Sequence, residues 1–161
     1  MRDAYDLQEA NSQLLLEHWL LGDLHLSRLN QVRLIARRLL ADDRGWLLKV
    51  MDGKEESLSQ QFGEIYLVMA SAGQVRANHY HLRTSEWFTL VMGRAVLRME
   101  DPQTGEQKEM LLDAAVPQTV FVPAGIGHAF KNPEDSGSDM MLIAYADRQY
   151  EPTDTIALKV L

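Results

Sequence analysis

A chain of 161 residues, 46% hydrophobic and 24% charged, is long enough for one domain with a sizeable core and short for two. Its net charge of −7 argues against a general nucleic-acid binder, which needs a basic face. The absence of cysteine excludes disulfides, zinc–thiolate sites and cysteine nucleophiles, and it fits a reducing cytoplasm.

Residues 6–21 read as a helix. Asp6 caps it, Glu9 reaches back three residues later, and Leu7, Ala10, Leu14, Trp19 and Leu20 recur at helical spacing before Gly22 stops it. This apolar stripe must bury against the rest of the chain or against a second subunit, and a homodimer is expected. His18 and His25 are given no function. The run Leu14–Leu21 is broken by Glu17 and His18 and is too short to cross a bilayer. A cytoplasmic protein without a membrane partner is expected. Residues 1–30 are expected to form an N-terminal helical segment and 31–161 the main domain.

From residue 32 the period becomes two. Val32, Leu34 and Ala36 alternate with Arg33 and Arg37; Asp42-Asp43-Arg44-Gly45 is a turn, and Trp46–Val50 returns as a strand. A polar loop at 52–56 follows. Strand-like runs are then expected at 62–69, 75–81, 86–92, 94–100, 107–112, 118–122, 127–131 and 139–146, separated by glycine- and proline-rich turns. Many short strands at near-regular spacing predict an all-β sandwich or barrel.

Four side chains carry candidate chemistry. His79 and His81, two apart on a strand, point to one side. Glu86 opens the next strand, on a face expected to continue inward through Phe88, Leu90 and Met92. His128 follows Pro123-Ala-Gly125-Ile-Gly. Singly, each has an ordinary reading as a core or surface polar residue. Together, three imidazoles and a carboxylate suit one divalent first-row metal ion (Zn, Mn, Fe or Ni), with positions left open for a substrate.

These residues stand in a known pattern. Gly73, His79, His81, Glu86 and Gly93 resemble the first cupin motif at every fixed position. Pro123, Gly125, His128 and Asn132 resemble the second, with Pro117 where that motif opens with glycine. The two motifs cover about a third of the chain. The resemblance implies an all-β cupin double-stranded β-helix, a jelly-roll-like barrel, with His79, His81, Glu86 and His128 as metal ligands.

A second layer of likeness narrows the class. Arg76-Ala77-Asn78-His79, Asp43-Arg44-Gly45 and Ala144-Tyr145 are similar to segments of dTDP-sugar 3,5-epimerases and 3,4-ketoisomerases. The stretch from Gly73 to Gly93 with Thr104-Gly105-Glu106 resembles the metal-binding cupin domain that ends bacterial capsular-polysaccharide sugar epimerases. The resemblance implies a sugar-nucleotide epimerase or isomerase of polysaccharide biosynthesis that binds a small, anionic substrate. Tyr145 is then the catalytic acid, and Arg76 and Tyr66 contact substrate. In metal-free relatives the histidine matching His79 is the general base; with the other three ligands present, a ligand role is expected for it here. Arg76 differs in parity from His79 and His81, so only a bulge would turn it inward. The alternatives are a metal-dependent dioxygenase or small-molecule isomerase, and a non-enzymatic ligand-binding cupin.

Overall fold

The computed structural model describes residues 27–42, 45–48, 50, 51 and 63–161. The expected helix at 6–21, Asp43, Arg44 and the loop at 52–56 lie outside the described residues, as does the 1–30 segment up to residue 26. A 3-10 turn, Arg28–Gln31, leads into β1 (Arg33–Ala36), and β2 (Leu39–Asp42) pairs antiparallel with β3 (Gly45–Leu48). There follow β4 (Glu64–Ala70), β5 (Val75–His81), β6 (Glu86–Met92), β7 (Arg94–Glu100) and β8 (Gln107–Asp113). The chain ends its strands with β9 (Gln118–Val122), β10 (Gly127–Lys131), β11 (Met140–Ala146) and β12 (Thr155–Ala157). The sequence runs at 75–81, 86–92, 94–100, 118–122 and 127–131 coincide with β5, β6, β7, β9 and β10; the other three differ by one or two residues.

Two five-stranded antiparallel sheets result, ordered β1-β9-β6-β11-β4 and β12-β5-β10-β7-β8. From β4 to β7 the chain changes sheet at every strand, so the two sheets are wound together rather than built one after the other. Alternation explains their contact. On β7, Ala95, Leu97 and Met99 are fully buried, while Arg94, Val96 and Arg98 between them are partly exposed. They meet Phe88, Leu90, Val120, Phe130, Met140 and Leu142 in one core between the sheets. A second, smaller cluster of Trp87, Phe121 and Tyr145 covers the outer face of β6, β9 and β11, with Met51 packed on it.

Gly93 makes the turn from β6 to β7 at φ 77°, where an added Cβ would lie 2.5 Å from the Asp139 carbonyl oxygen. Just before this turn the register of β6 against β11 slips: Leu90 faces Leu142 but Met92 faces Met141. Val91 is the extra residue, and the bulge moves Met92 to the outer face, where it is 41% exposed. The expected inward face of β6 therefore stops at Leu90.

Candidate metal centre

The imidazoles come from one sheet and the carboxylate from the other. His79 and His81 are alternate residues of β5, and His128 on β10 stands directly opposite His79 in the ladder, so all three rings leave the sheet on one side. Glu86 opens β6 and pairs with Ala146 and Val122 in the facing sheet. The donor atoms of His79, His81 and Glu86 lie within 4.8 Å of one another. His128 joins them, its Nε2 3.3 Å from Glu86 Oε2, with His81 Nε2 3.5 Å from the same oxygen.

Three of the four donors are aimed by a neighbour. The Tyr66 hydroxyl donates to Glu86 Oε1 at 2.6 Å, which leaves Oε2 toward the imidazoles. His128 Nδ1 lies 3.3 Å from the Ile126 carbonyl oxygen. A carbonyl can only accept, so Nδ1 carries the proton and the Nε2 lone pair faces Glu86. His81 Nδ1 lies 3.6 Å from Asp154 Oδ2 and 3.3 Å from Thr155 Oγ1. The pairing of Thr155 with His81 brings Asp154 there, and Asp154 in turn accepts from the Thr84 hydroxyl at 2.6 Å and the Arg83 N–H at 2.8 Å. The loop before His128 is pinned as well: Gly125 N–H donates to the His81 carbonyl at 2.6 Å, and the Arg28 guanidinium fills the space a Cβ would need.

Burial governs the charge states of the cluster. Burial, then the neighbouring His81 and His128, push the His79 imidazole down to about 4. Burial also takes His128 down to about 4, against its bond to Ile126. Both are neutral at physiological pH, so they offer lone pairs to the 2%-exposed Glu86 but no countercharge. Burial, the largest influence, raises the carboxyl of Glu86. Asp154 is held below its usual range although burial opposes it, because Thr84 and Arg83 hydrogen-bond to its charged form. Donors about 2.1 Å from one ion, at tetrahedral or octahedral angles, stand roughly 3.0–3.4 Å apart. The 3.3 Å separation falls within this range and the 3.5 Å separation just beyond it.

A cavity of about 390 Å³ opens onto His79, His81 and Glu86, with His128 buried behind them, and is lined also by Glu64, Tyr66, Thr84, Arg148, Tyr150 and Glu151. Of the residues expected to meet substrate, Tyr66 lines it. Tyr145 does not. It pairs with Trp87 while its neighbour Ala146 pairs with Glu86, so it leaves β11 on the outer face, its ring 5.3 Å from that of Trp87. Arg76 does not line the cavity either. The bulge occurs, with Ala77 and Asn78 at φ 71° and 62° and Asn78 left without a partner opposite His128 and Ala129. It places Arg76 opposite Phe130, but Arg76 Nε donates to the Met69 carbonyl at 2.7 Å and the side chain is exposed. Sequence reasoning missed Asp154, Thr84, Glu64 and Arg148. Asp154 lies 73 residues beyond His81, and no local period marks it; only the pairing of β12 with β5 brings it in.

Two interlocked antiparallel sheets around a His79–His81–Glu86–His128 cluster define a cupin. The chain belongs to the family described as the polysaccharide biosynthesis C-terminal domain, whose model matches residues 40–156. None of the curated proteins matches it in sequence. Among solved structures it is similar to a dTDP sugar isomerase from Desulfovibrio desulfuricans G20, with a TM-score of 0.73 and 18% identity over 84% of this chain and 88% of that one. It is similar to ChmJ, a 3'-monoepimerase from Streptomyces bikiniensis in complex with dTDP-quinovose, with a TM-score of 0.68 and 20% identity over 78% of this chain and 68% of that one. It also resembles the capsular polysaccharide assembling protein CapF from Staphylococcus aureus, with a TM-score of 0.58 and 25% identity; the match covers 77% of this chain but only 34% of that one. Among the described residues, no helix is long and apolar enough to cross a membrane.

Proposed function

We propose that the protein is a metal-dependent epimerase or isomerase of a keto-sugar nucleotide in polysaccharide biosynthesis, acting in the cytoplasm as a homodimer. The observation that carries this reading is the convergence of three imidazoles and one buried carboxylate at the floor of a cavity that His79, His81 and Glu86 line, with a phenol bonded to the carboxylate. His79, His81, Glu86 and His128 would hold one divalent transition-metal ion. When bound, such an ion supplies Lewis-acid polarisation of a ketone oxygen. In this reading His79 is a ligand, and its lone pair is not available as a base.

The reaction class needs a proton taken from the carbon beside the ketone and one returned to the opposite face. The electron pair from the broken C–H bond moves to the carbonyl oxygen in between. Tyr66 is a phenol on the cavity wall, its hydroxyl shared with Glu86. Burial, then the Glu86 carboxylate, hold its pKa far above the ordinary phenol value, so it stays protonated. Glu64, two residues earlier on the same face of β4, is the carboxylate on the cavity wall that can accept a proton.

The test has two stages. Elemental analysis of the purified protein should find one divalent metal per chain. The metal-loaded protein, given a dTDP-4-keto-6-deoxy sugar in D₂O, should then place solvent deuterium beside the ketone. Tyr66→Phe, assayed at saturating metal, should slow this exchange by about a hundredfold or more, while Tyr145→Phe should leave it near the wild-type rate. Failure of the loaded wild type to exchange deuterium into any dTDP-4-keto sugar offered would end the epimerase reading.

The dimer rests on β4. Its inner residues Glu64 and Tyr66 line the cavity, while its outer residues Ile65, Leu67 and Met69 are 63%, 65% and 45% exposed on an edge strand. A free edge beside an exposed apolar row is a surface that folded proteins cover or blunt.

A further inference from the structure

The acidic side chains around the metal cavity are already engaged. Glu86 takes the Tyr66 hydroxyl; Glu64 Oε1 accepts from the Tyr150 N–H at 3.0 Å; and Glu151 Oε2 accepts from Arg83 Nη2 at 2.7 Å. Arg148 differs. It is exposed and lines the same cavity, and no carboxylate of the described residues lies within ion-pair distance of it. Its guanidinium makes one hydrogen bond to the described residues, from Nε to the Arg83 carbonyl at 3.3 Å. Both terminal amino groups are left to bind something else. Arg148 is the one guanidinium among the described residues lining this cavity.

The backbone that carries Arg148 is fixed. The Asp147 N–H donates to the Ser85 carbonyl at 3.1 Å, and Asp147 Oδ1 accepts the Ser85 N–H at 3.0 Å. On the other side Gly63 lies directly against the Ala146 carbonyl and the Arg148 amide, with no room for a Cβ. A backbone held this way fixes where the side chain enters the cavity wall, and the planar fork of the guanidinium matches the oxygens of a phosphate or carboxylate.

We propose that Arg148 is the anion anchor of this cavity: it grips a phosphate on a sugar substrate while an oxygen of the same molecule reaches the His79–His81–Glu86–His128 cluster. The inference rests on the sugar reading above and names the group by which the substrate is held. It also supplies the role that Arg76, turned to the Met69 carbonyl, does not fill.

Calorimetry on the full chain tests it with glucose 1-phosphate, glucuronate and glucose as probes, each with and without metal. Glucose 1-phosphate should bind wild-type protein more tightly than glucose does. Arg148→Gln should weaken it by about ten- to a hundredfold while leaving metal content and glucose binding unchanged. Arg148→Lys should recover part of the loss. Tighter binding of glucuronate than of glucose 1-phosphate would assign the anchor to a carboxylate and overturn the phosphate claim. Equal affinity of wild type and Arg148→Gln for glucose 1-phosphate, or no binding of it to wild type, would overturn the anchor itself. Loss of the metal reading is seen separately, in metal content, and leaves the comparison of the two proteins in the metal-free arm intact.

Discussion

At the scale of single residues, the cluster depends on side chains that never touch its centre. Asp154 sits beside His81 Nδ1 and is itself held by Thr84 and Arg83. Carboxylates in this position orient a ligating imidazole and raise its basicity. Asp154→Asn should therefore weaken divalent metal binding by about ten- to a hundredfold, read by competition with a chelating dye. Unchanged affinity would show that Asp154 serves only the Arg83–Thr84 loop. The four side chains of the cluster were legible in the sequence because each stands at a strand start or at fixed spacing from a turn. Asp154 was not, since its contact exists only once β12 lies along β5.

Strands explain both the agreements and the three corrections. Turn residues such as Gly73 and Gly93 bracket the runs closely enough that five strands were legible to the residue. Which face of a strand is inside was legible only where one face is polar. On β11 both faces are apolar, with Met140, Leu142 and Ala144 on one side and Met141, Ile143 and Tyr145 on the other, so alternation gave Tyr145 no side. On β5 the bulge at Ala77 and Asn78 resets the parity, and an isolated sequence shows no bulge. Asn78 also holds the last strand's exit: its Oδ1 accepts from the Val160 and Leu161 amides at 2.9 and 3.0 Å, and its Nδ2 donates to the Leu161 carbonyl at 3.2 Å. Asn78→Gly keeps the positive φ and loses these bonds; Asn78→Ala loses both. Urea unfolding should rank wild type above Asn78→Gly, and Asn78→Gly above Asn78→Ala by about 1 kcal/mol. Equal stability of the two variants would remove the backbone argument.

At the scale of the whole molecule, the outer row of β4 sets the expected assembly. Leu67→Lys places a charge in the middle of that row without touching the cavity face. Light scattering should find wild type at twice the chain mass at micromolar concentration and the variant at the chain mass. A wild-type monomer would refute the dimer. The cluster also has a mechanical meaning for the fold. The imidazoles belong to the β5–β10 sheet and the carboxylate to the β6 sheet, and Tyr66, which aims Glu86, sits in the sheet of Glu86. An ion shared among the four would be a rivet through the sandwich. The two sheets could then part only by shedding it, so metal occupancy would set how readily the barrel opens at the end where substrate enters.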